Sequence, residues 1–118
     1  MKTIVLILAL LLVSSTTFAG DADVIAVDVV TQGDTHIFNV TVKHADTGWG
    51  HYADRWDVLA PDGTILGSRP LLHPHVDEQP FTRSLTGVII PKELNTVTVR
   101  AHDSVHGYGG RTMDVALP

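Results

Sequence analysis

The chain has 118 residues, 18% of them charged, with a formal net charge of −5 and no cysteine. That length suits one small domain, and the acidic balance argues against nucleic acid or anionic lipid as partners. The lack of thiols excludes disulfides and a cysteine-linked lipid anchor, along with the soft ligands of zinc fingers, iron–sulfur clusters and most Cu(I) sites.

Residues 1–19 read as a signal peptide. Lys2 precedes an unbroken apolar run over residues 4–13, and the small residues Thr17 and Ala19 stand at the expected cleavage positions. The run is too short to span a bilayer as a helix. Its removal predicts a periplasmic or secreted protein of residues 20–118, one domain without a membrane anchor.

Residues 23–31 (DVIAVDVVT) are β-branched and free of strong helix formers, which predicts a strand. After the turn Gln32-Gly33-Asp34, residues 35–44 alternate. Phe38, Val40 and Val42 take one face, Asn39, Thr41 and Lys43 the other, and His44 continues the inward set. A glycine-punctuated loop carries Asp46, Trp49 and His51. A strand over 52–60 then reaches the tight turn Pro61-Asp62-Gly63 and returns over 64–72.

His73-Pro74-His75-Val76-Asp77-Glu78-Gln79-Pro80 packs two imidazoles, two carboxylates and two prolines into eight residues. Each proline fixes φ and disfavours helix for the residue before it, so this stretch is an ordered loop. Further strands are expected over 81–90, 96–102 and 111–117. The last two are separated by a glycine-rich loop holding Asp103, Ser104, His106 and Tyr108. No helical periodicity and no internal repeat intervene. The expectation is an all-β, seven-stranded antiparallel β-sandwich, immunoglobulin/fibronectin-III-like.

Parity then places the loops. When each strand reverses direction, alternate connections fall at the same end. The second, fourth and sixth connections contain or adjoin His44, His51, His73, His75, His102 and His106, six of the seven histidines. Asp46, Asp77, Glu78 and Asp103 lie with them, as do Trp49 and Tyr108. Loops carried by a rigid sandwich are where such folds place binding groups.

Neutral imidazole is the commonest protein ligand for Zn(II) and Cu(II), and a carboxylate completes such sites. The predicted metal site uses His73, His75, His44 and one of His51, His102 or His106. Asp77, Glu78, Asp103 and Asp46 serve as alternative ligands or as acceptors that orient a ligating ring. Strand alternation turns His102 away from Val97, Val99 and Ala101, so His44 is the stronger candidate. Taken singly, each histidine also suits a loop hydrogen bond, and together they suit a pH-sensitive contact. A second reading is a non-catalytic module that meets another periplasmic protein through Trp49 and Tyr108. Arg55, Arg69 and Arg83 are expected in ion pairs with Asp54, Asp57 or Glu78. No enzyme is expected: Ser84, Ser104 and Asp103 have no nucleophile-elbow context, although a hydrolase or a copper-dependent redox activity remains open.

Residues 56–64 (WDVLAPDGT), 73–83 (HPHVDEQPFTR) and 101–107 (AHDSVHG) resemble an uncharacterised family of small exported bacterial proteins. The resemblance covers nearly all of residues 20–118 and implies a periplasmic setting. At the level of architecture, a cysteine-free sandwich with histidines at one end also resembles the periplasmic copper-resistance carriers. Here the methionine-rich Cu(I) segment is missing, and Gly20-Asp21-Ala22 stands where some of those carriers begin with histidine.

Overall fold

Alternation decides which side chains meet across the sandwich. In the computed structural model, residues 20–118 are described, so the expected signal peptide lies outside the described residues. Seven strands follow in order: β1 (Asp23–Gln32), β2 (Thr35–Lys43), β3 (Ala53–Leu59), β4 (Ile65–Pro70), β5 (Phe81–Val88), β6 (Thr96–Asp103) and β7 (Met113–Ala116). They form two sheets of order β1-β2-β5 and β4-β3-β6-β7, and every pairing is antiparallel. The architecture is a β-sandwich. Among the described residues no helix is long and apolar enough to cross a membrane.

Phe38, Val40 and Val42 of β2 and Phe81 of β5 face Trp56 and Val58 of β3 and Val97, Val99 and Ala101 of β6, all buried in one cluster. Each large apolar side chain taken fully out of water contributes roughly 1.5–3 kcal/mol. With no cysteine in the chain, this core carries the fold. The register of β3 against β6 shifts between Ala53 and Arg55, a bulge that lets both Ala53 and Trp56 face inward. It also sets Ala53 opposite Asp103. The last strand is shorter than expected because Arg111 turns to β1. Its N–H donates to Asp23 and its carbonyl accepts from Val24.

Three connections come together at one pole. The Asp46 carboxylate of the β2–β3 loop accepts the N–H of His75 in the β4–β5 loop, and the Ser104 N–H of the β6–β7 loop donates to the Tyr52 carbonyl. The parity expectation therefore holds.

Candidate metal centre

His44 follows the inward positions Phe38, Val40 and Val42 and is 2% exposed. Asp103 ends the matching inward row of β6 after Val97, Val99 and Ala101, and it is fully buried. The two strands thus aim an imidazole and a carboxylate at each other: His44 Nε2 contacts Asp103 Oδ2. On its other side, His44 Nδ1 contacts Asp46 Oδ1. The His44 N–H donates to Gln79 Oε1 at 2.9 Å, and the Gly20 carbonyl lies 2.9 Å from Nε2.

His51 reaches the same carboxylate from the β2–β3 loop, with Nε2 at 2.7 Å from Asp103 Oδ2. A bond from the His51 N–H to the Gly48 carbonyl and one from the Thr47 N–H to the His51 carbonyl close the tip that presents it. Asp103 Oδ1 is anchored separately by the N–H groups of Val105 (2.6 Å) and His106 (2.8 Å). The loop closes through reciprocal backbone bonds between Asp103 and Gly107, whose φ of 74° favours glycine. Burial alone would raise the Asp103 carboxyl. The two amides, the His51 hydrogen bond and the nearby His44 outweigh it and hold the group down at about 2.

Asp46 is the common strut. Its Oδ1 also accepts the Ala53 N–H at 3.0 Å, and its Oδ2 accepts the His75 N–H at 2.7 Å. One buried carboxylate therefore orients His44 and ties two loops to the start of β3.

Among the described residues, the set of three His, Asp or Glu side chains whose ligand atoms lie within 4.8 Å of one another is His44, His51 and Asp103. Metal–nitrogen bonds of about 2.0–2.1 Å in a tetrahedral shell place ligand atoms roughly 3.3 Å apart, inside the 4.8 Å span of this set. His106 stands at the mouth, half exposed, its ring 4.9 Å from that of His51 and its Nδ1 3.5 Å from Asp103 Oδ1.

The other expected ligands lie elsewhere. His73 and His75 do not join His44. Their rings pair with each other at 4.6 Å, and His75 stacks on Phe81 at 4.0 Å. His102 points to the outer face of its sheet, where Nδ1 lies 2.5 Å from Asp54 Oδ1. Asp77 is exposed, and Glu78 accepts from Arg83 at 2.9 Å, which lowers its carboxyl pKa. Asp103, expected as an accessory group, is instead the point on which both rings converge.

Trp49 is 68% exposed, with its ring edge-on to Tyr52. Tyr108 is 37% exposed and is held in place by polar partners. Its hydroxyl donates to Asp57 Oδ2 at 2.9 Å and accepts from Arg55, and Arg100 lies 3.7 Å from its ring centre. Asp57 is fully buried on that outward side by Ser68, Arg100 and Tyr108. Arg69 makes bonds to the carbonyls of Ser84 and Pro70 where an ion pair was expected. The two serines are also engaged: Ser84 donates to Asn39, and Ser104 Oγ accepts the Tyr52 N–H.

Over 96 residues, 80% of this chain, the sequence is 44% identical to a protein of Halomicrobium mukohataei described as "Putative lipoprotein", of which the match covers 47%. The chain thus spans about half the length of the curated relative it matches. That likeness supports an uncharacterised bacterial or archaeal family. No family model matches. No solved structure matches.

Proposed function

We propose that this chain is an exported metal-binding protein that holds Zn(II) or Cu(II) through His44 Nε2, His51 Nε2 and Asp103 Oδ2, with His106 beside the opening. The convergence of two imidazoles and a carboxylate at one buried point carries the reading. Charge supports it. Asp46 and Asp103 are both buried against a single buried imidazole between them. With His44 and His51 both in the neutral form that a metal ligand takes, the two carboxylates carry two negative charges, and buried charge is costly without a partner. A divalent cation would balance it, while Asp46 would hold the Nδ1 proton and keep Nε2 free to coordinate, the carboxylate–histidine–metal arrangement.

Imidazole and carboxylate suit Zn(II) and Cu(II) alike. The architectural likeness to copper-resistance carriers favours copper, with the strand order read as an immunoglobulin or fibronectin-III type of sandwich. Export rests on the leader-like residues 1–19, and the description of the relative as a lipoprotein agrees with it.

Calorimetric titration with each ion tests the reading. The expected result is one ion per chain with micromolar or tighter affinity, weakened about 100-fold or more in His51→Ala. A His73→Ala, His75→Ala double variant should keep its affinity. If neither ion binds at a hundredfold excess, the metal reading falls. The second reading, a protein-interaction module, then gains from Trp49, Leu72, Val76 and Val105, all exposed on the same three loops.

A further inference from the structure

The His73-Pro74-His75 segment is left unexplained by the metal centre, and its surroundings have the opposite charge. His75 is 5% exposed, and neither of its ring nitrogens has a hydrogen-bond partner. A buried imidazole has an N–H to donate and a lone pair to satisfy, and leaving both unmet is costly. Its faces are occupied, by Phe81 on a nearly parallel plane and by the tilted ring of His73. Only the edge is left for a partner.

Beside it lies a cleft of about 100 Å³ lined by Arg69, Leu71, Leu72, His73, His75 and Arg83. No carboxylate lines it. Arg69 comes from β4 and Arg83 from β5, neighbouring edges of the two different sheets. Both guanidiniums are pinned. Arg69 donates to the carbonyls of Ser84 and Pro70, and Arg83 to the carbonyl of Thr82 and to Glu78. Such fixed, charged donors suit an oxyanion bound in a fork. Burial, then the Arg83 charge, lowers the His75 pKa, which fits a locally positive field. The same field repels the divalent cation that a His-x-His spacing would otherwise invite.

We propose that this cleft binds a small oxyanion, a phosphate or carboxylate group, with Arg69 and Arg83 supplying charge and His75 supplying a ring N–H donor, while the His73 Nδ1 N–H donates to the Pro74 carbonyl. Glu78, more than half exposed on its side chain, is the internal carboxylate that a ligand would displace from Arg83. In an acidic chain this is a local basic site, separate from the metal centre and joined to it only through the His75 N–H bond to Asp46.

The test follows the side-chain signals of His73, His75, Arg69 and Arg83 by nuclear magnetic resonance in metal-free protein. Inorganic phosphate and, separately, acetate are added at constant ionic strength, with chloride as the balancing salt. Saturable shifts of these four residues, with affinity lowered about tenfold or more in Arg69→Gln or Arg83→Gln and unchanged in His51→Ala, are the expected result. Preference for one of the two anions assigns the ligand to the phosphate or the carboxylate class. Absence of a saturable shift at tens of millimolar of both would overturn the proposal, as would Zn(II) shifting the His73 and His75 rings where neither anion does. Because no metal is present in the anion titrations, their outcome is independent of whether His44 and His51 bind one.

Discussion

Asp103 carries charge in the least solvated part of the molecule, and the cost is offset by how its two oxygens are used. Oδ1 takes two backbone N–H groups and Oδ2 faces two imidazoles. The consequence appears as a pH dependence whose sign can be worked out. The folded carboxyl is held down at about 2, below the ordinary aspartate value of 3.8. Between those values the unfolded chain binds the proton and the folded chain does not. The stabilisation is therefore complete above the unfolded pKa and is lost as pH falls through the folded one. The size is about 2 kcal/mol. Urea unfolding followed from pH 6 down to pH 2 should show stability falling across the acid limb, and Asp103→Asn should flatten that limb. An unchanged acid limb in the variant would show that Asp103 is not held as its partners imply.

At the scale of strands, alternation made much of this site legible. The odd positions Val97, Val99, Ala101 and Asp103 of β6 are buried in step, just as Phe38, Val40, Val42 and His44 are at β2. The same count that turned His102 outward points Asp103 inward, so the centre of the cluster could have been read from sequence. Parity of the connections correctly brought the loops to one pole. It could not say which rings within a loop turn inward, because that depends on local bonds. The Asp46 hookup to the His75 backbone and the Phe81 stack fix His75 away from His44. The bonds that hold Tyr108 were not legible for a related reason: its partners Arg55, Asp57 and Arg100 lie on β3 and β6, and only the fold brings them together. Removing its hydroxyl in Tyr108→Phe should cost about 1–2 kcal/mol, since buried Asp57 loses a donor while keeping Ser68 and Arg100. Denaturant midpoints would measure this, and zinc affinity should stay as in the parent. A loss below a few tenths of a kcal/mol would return Tyr108 to the role of a free surface aromatic.

The whole molecule divides its tasks between its ends. One pole has the short turns at Gly33, Gly63 and residues 91–95, and the other collects buried acid and imidazole from three loops and the strand ends beside them. A domain of this size without disulfides has a modest margin of stability, and the loop pole spends some of that margin on burying Asp46, Asp103 and His44. A cation bound there would return it. A ligand that binds only the folded state stabilises by mass action, about 2.7 kcal/mol at a concentration 100 times its dissociation constant. Since 1 kcal/mol moves the melting point by roughly 4–8 °C in a domain of 60–100 residues, the expected rise is of the order of 10–20 °C. Thermal unfolding with and without Zn(II), then with excess chelator, should show the rise and its reversal. His51→Ala should melt near the metal-free parent and gain little from the ion. If zinc leaves the parent melting point unchanged within a degree or so, the pole is held together by its own hydrogen bonds without a metal.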